Sequence, residues 1–75
     1  MIKKMVLKLK VRIANKDSKY EWEEEKWLQK TFKNVEREYG AIPVTKLQDI
    51  LEKEISKKYK LYSTEGIDVK IIEEN

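Results

Sequence analysis

Glu21 and Glu25 stand four residues apart in an acidic run that also holds Glu23 and Glu24. On a helix that spacing puts two carboxylates on one face, an arrangement that can hold a hard divalent cation or share acid–base work. Such work needs a carboxylate whose pKa is moved by burial or by an opposing charge, and no second acidic cluster converges on this one. Glutamates near a helix start are also what the helix dipole favours, so the run is expected to be a solvated face. Elsewhere the repertoire is narrower still. The chain has no cysteine and no histidine. That excludes thiolate nucleophiles, disulfides, imidazole bases and most zinc sites together. Two glycines leave no room for a phosphate-cradling loop of the common kinds. The expectation is a chain that is not an enzyme and takes no metal, cofactor or small-molecule substrate.

Binding chemistry remains. Lys8, Lys10 and Arg12 recur at every second position, with Lys3 and Lys4 before them and Lys70 near the other end of the chain. On one face of a sheet they form a basic stripe able to follow a phosphate backbone. Lysine is also the ordinary filler of a solvent-facing strand, and this stripe shows no aromatic residue for base stacking. Asp68 is expected to face the same way. Trp22 sits among glutamates and lies outside the apolar arc of the helix expected around it, so it reads as an exposed anchor for a protein partner, flanked by Glu21 and Glu25. The alternative is that it packs on the loop from Asn15 to Lys19. The stretch Lys57 to Tyr62 interleaves basic and aromatic residues; its tyrosines are expected to complete a core and its lysines to be solvated helix-end charges.

These residues need elements to hold them. From Met5 to Ala14, apolar Met5, Leu7, Leu9, Val11 and Ile13 alternate with Val6, Lys8, Lys10 and Arg12, the pattern of a long half-buried strand. Asn15 to Ser18 break it, and the Ser18–Glu21 spacing predicts a capped helix start. At 100° per residue Tyr20, Trp27, Leu28, Thr31, Phe32, Val35 and Tyr39 share one face, with Gly40 ending the helix. Pro43 enforces an extended connection, and Thr45 with Gln48 repeats the capping spacing before a second helix carrying Leu47, Leu51 and Ile55. Glu54 and Lys58 are placed to pair along it. Ser63 to Gly66 reads as a turn. Ile67, Val69 and Ile71 then alternate with Asp68, Lys70 and Ile72 in a short last strand before an acidic tail.

The expected architecture is a single α+β domain over residues 1–75 in the order β-α-α-β, with two long helices on one face of a small antiparallel sheet. A two-stranded sheet is marginal and its edges are open, so a homodimer paired through the first strand into four strands is the expected assembly. No apolar run is long enough to span a membrane. The absence of cysteine fits a reducing, cytoplasmic setting. The net charge of +3 is a small difference between 17 basic and 14 acidic residues, and a Lys- and Glu-rich composition has sources other than ligands. The leading functional expectation is a non-catalytic protein-interaction module, a small regulator or adaptor using Trp22, Glu21 and Glu25. The alternative is a nucleic-acid-binding protein using Lys8, Lys10, Arg12 and Lys70.

Overall fold

A computed structural model describes residues 1–75. Strand β1 (Ile2–Asn15) is followed by β2 (Glu24–Val35), helix α1 (Val44–Lys58) and β3 (Tyr59–Glu74). The sheet has three antiparallel strands in the order β2-β1-β3. The alternation of β1 is expressed in full: Met5, Leu7, Leu9, Val11 and Ile13 are buried without remainder on one face. Leu47, Leu51 and Ile55 of α1 close over that row, joined by Ile2 and Val35. Leu28 and Phe32 from β2 and Leu61 and Val69 from β3 pack at its margins.

The first expected helix does not exist. Residues 24–35 form β2, paired with β1 from Ile13↔Glu24 to Ile2↔Val35. Its burial alternates strictly from Lys26 to Lys33, with Lys26, Leu28, Lys30 and Phe32 half-buried toward α1 and Trp27, Gln29, Thr31 and Lys33 exposed on the other side. Leu28 and Phe32 stand four apart, which suits a helix and a strand equally. The lysines between them hide the period of two. The deciding cause is tertiary. β1 buries one whole row and shields the other, which requires a strand on each side of it, and the next segment of chain is the near one. Tyr20, Trp27 and Tyr39, expected in the core, are therefore exposed. Ser18 caps no helix; its hydroxyl accepts the Tyr20 N–H at 3.2 Å inside the β1–β2 loop. Gly40 ends no helix either. With Tyr39 it forms a two-residue turn, both at positive φ (50° and 80°), closed by reciprocal hydrogen bonds between Glu38 and Ala41. That is the geometry of a type I′ hairpin turn.

The helix at Leu47–Ile55 stands where its spacing places it, but it starts at Val44 with no side-chain cap, and Gln48 donates to Glu52 instead. Glu54 pairs across to Lys30 of β2 at 2.9 Å and not to Lys58. The helix passes into β3 with no intervening residue. The expected turn at Ser63–Gly66 is absent, because β3 runs through it with shifted register: Lys10↔Gly66 is followed by Val11↔Thr64, and Arg12↔Ser63 by Ile13↔Leu61. Glu65 and Tyr62 are the extra residues, and bulges of this kind re-aim side chains. Glu65 turns to Arg12 at 3.2 Å and the Tyr62 hydroxyl donates to the Tyr20 carbonyl at 3.1 Å. Strand β1 is hydrogen-bonded on both sides, so the expected four-stranded dimer through its edge has no edge to use.

Candidate functional site

The face of the sheet away from α1 carries Lys4, Val6, Lys8, Lys10 and Arg12 from β1. Their pairing partners put Glu25, Trp27, Gln29, Thr31 and Lys33 of β2 on one side and Ser63, Gly66, Asp68, Lys70 and Glu73 of β3 on the other. The face divides lengthwise by charge. At one end Glu25 sits between two cations, 3.0 Å from Lys10 Nζ and 2.9 Å from Arg12 Nε, and Glu65 reaches Arg12. The hydrogen bond from Arg12, then that from Lys10, holds the Glu25 carboxyl below its ordinary range. The Arg12 guanidinium also lies over the Trp22 ring, 4.9 Å from its centre, a cation–π contact. At the other end Lys4, Lys8, Lys33 and Lys70 have no carboxylate within ion-pair distance. Two acids stand opposite them in register: Asp68 across from Lys8, and Glu73, which pairs with Lys3 at 3.7 Å, across from Lys4.

Trp27 stands at the boundary between the two ends. It is opposite Lys10, and Lys10 is opposite Gly66. A β-carbon at Gly66 would meet the six-membered ring of Trp27 at 3.3 Å and the Lys10 stem at 3.3 Å. The indole therefore crosses the central strand and rests on the one position of β3 that lacks a side chain. Half of Trp27 remains exposed, at 50%. Beside it lies a shallow depression of about 460 Å³ lined by Lys8, Trp27, Gln29, Ile67 and Asp68.

The residues expected to form a docking patch on a helix lie on none, but Trp22 and Glu25 meet at Arg12. Glu21 and Trp22 lie in the β1–β2 loop and Glu25 on β2, and Glu25 is committed to Lys10 and Arg12. Trp22 packs under Arg12. Of the basic set, Lys8 and Lys70 are free while Lys10 and Arg12 are paired. The stripe does carry aromatic residues, contrary to expectation, because β2 brings Trp27 beside Lys10 and the loop brings Trp22 beside Arg12. Trp27, Gln29 and Lys33 were missed; the signal that finds them is the strict alternation from Lys26 to Lys33 taken at a period of two.

A second groove, of about 490 Å³ between α1 and β2, is lined by Leu28, Leu51, Ile55 and Tyr59 with Glu54, Lys57 and Lys58 at its rim. No three carboxylates converge in a way that holds a metal ion, and no helix is long and apolar enough to cross a membrane. Comparison with protein-family models, with curated proteins and with solved structures found no match.

Proposed function

We propose that the open face of the sheet binds single-stranded nucleic acid without catalysis, with a base stacked on Trp27 and the backbone held by Lys4, Lys8, Lys33 and Lys70. The observation that carries this reading is the half-exposed Trp27 indole laid across Lys10 onto Gly66, next to lysines that form no ion pair. An exposed aromatic ring in a basic groove is the usual platform for single strands, because every base offers a π-face while phosphates follow the cations. Gln29, in the depression beside Trp27, has an amide that both donates and accepts, suited to a base edge. Arg12 and Trp22, already stacked on one another, extend the platform past Glu25. A cytoplasmic setting belongs to the same proposal.

Titration of the purified chain with labelled oligonucleotides at several salt concentrations tests it. Three or four phosphate contacts give a slope of log K against log salt of about −2 to −3. Trp27→Ala costs about 1–3 kcal/mol of binding, and Lys8→Ala or Lys33→Ala flattens the slope by somewhat less than one. Absence of binding at low salt, or binding indifferent to Trp27→Ala, rejects the reading.

The protein-adaptor reading stands second. Its support is Trp22 and Glu25, which meet at Arg12, and the uncovered edge of β3. The two readings separate on salt, since an apolar protein contact changes little where phosphate binding falls steeply.

A further inference from the structure

Both outer strands of a three-stranded sheet have an unpaired side, and here the two sides differ. β2 turns Lys26 and Lys30 toward the helix layer, inward-pointing charges that discourage another strand from docking. β3 turns Ile67, Val69 and Ile71 the same way, and α1 leaves Ile67 46% and Ile71 37% exposed. Between its register shifts, β3 runs from Gly66 to Ile71 without irregularity. That segment offers a straight ladder of free backbone groups beside an uncovered apolar row.

A strand paired antiparallel with a copy of itself, in one continuous sheet, must set side chains of the same face opposite each other. The two-fold axis therefore passes through a residue and not between residues. An axis at Val69 sets Ile67 against Ile71 twice and Asp68 against Lys70 twice, with Val69 facing itself. An axis one residue earlier sets Asp68 against Asp68, and one residue later Lys70 against Lys70. Opposite charges across a strand pair stabilise it and like charges destabilise it, so of these three registers the one centred on Val69 is favoured.

We propose that a second copy of this chain is the occupant of the β3 edge, in an isologous dimer centred on Val69. The sheet becomes six strands in the order β2-β1-β3-β3-β1-β2. The axis stands perpendicular to the sheet, so both helices share one face and the two open faces join on the other. Asp68 of each copy is then neutralised by Lys70 of the other, at the centre of the joined surface, which leaves Lys4, Lys8 and Lys33 of each copy for phosphate.

Sedimentation of the full chain without nucleic acid tests the dimer independently of the function proposed above. The parent is expected to move at twice 9.0 kDa. Asp68→Lys and Lys70→Asp each create two like-charge pairs and weaken dimerisation by about tenfold or more, and the double exchange restores it. Circular dichroism establishes that each variant is folded. Val69→Cys, in a chain with no other cysteine, is expected to cross-link into a covalent dimer under mild oxidation, while Lys33→Cys on the far edge is not. A parent that stays monomeric, single variants that dimerise as the parent does, or a double exchange no better than the singles each overturns the proposal.

Discussion

Glu25 and Glu74 each carry a hydrogen-bonded arginine, and both carboxyls lie below their ordinary value of 4.5, mainly through the bonds from Arg12 and Arg37 respectively. Arg37 grips Glu74 with two nitrogens, at 2.6 and 2.9 Å, and donates also to the Gly40 carbonyl at 3.1 Å. A carboxylate whose folded pKa is depressed binds fewer protons in the native state than in the unfolded one. Its stabilisation is complete above the unfolded value and disappears as pH falls through the folded one. Urea midpoints are therefore expected to fall between pH 5 and pH 2.5, and to fall less in Glu25→Gln/Glu74→Gln. An equal acid loss in parent and variant contradicts this.

Gly66 gives a second test at this scale. Gly66→Ala puts a β-carbon 3.3 Å from Trp27, tight enough that the indole must shift. In a Trp22→Phe background, the remaining Trp27 emission is expected to change in wavelength or intensity with the fold intact. Unchanged emission means that the ring does not rest where the structure places it. The sequence showed Lys8 and Arg12 as surface residues, because alternation along β1 suffices for that. It did not show that Trp27 joins them, since that depends on pairing between two strands.

At the scale of elements, the alternation of β1 and the Leu47–Leu51–Ile55 spacing of α1 were legible because each sits against a full hydrophobic layer. Strand β2 was not, because an edge strand under a narrow helix needs only Leu28 and Phe32 toward the core and fills the places between them with lysine. Those lysines contribute to specificity. Lys30 is held by Glu54, and Lys26 lies over the Tyr59 ring at 5.0 Å. Replacing both by valine leaves the inward row of β2 from 26 to 32 apolar and uncharged, and light scattering is expected to show concentration-dependent association beyond any dimer. Scattering no greater than that of the parent removes this role. Leu51, 4% exposed at the centre of α1, is the position where truncation to alanine costs most of the helix's attachment, about 2–5 kcal/mol by denaturation. A loss well under that range would mean that α1 contributes little to the core.

The whole molecule measures 47 × 17 × 15 Å. Its length is that of β1, whose 14 residues extend about 46 Å at ~3.3 Å each. The 15-residue helix reaches only about 22 Å, so roughly half the apolar row depends on flanking side chains for cover. Stability should be graded accordingly. Amide exchange is expected to be slowest at Leu7, Leu9 and Val11 under the helix and fastest in the Lys16–Glu23 loop and the Tyr39–Gly40 turn. Uniform protection would contradict this gradient. Neither the length nor the narrowness could be read from composition, because both follow from strand order, and strand order turned on the one element whose period was hidden.

The chain ends lie side by side, with the Asn75 N–H donating to the Met1 carbonyl at 3.2 Å, and the strands leading from them, β1 and β3, are immediate neighbours. A force that pulls the two ends apart therefore loads the ladder one rung at a time, beginning at Ile2 and Glu74. Such a zipper opens at low tension, whereas tension along β1 from a handle at Asn15 would have to shear the ladders on both of its sides together.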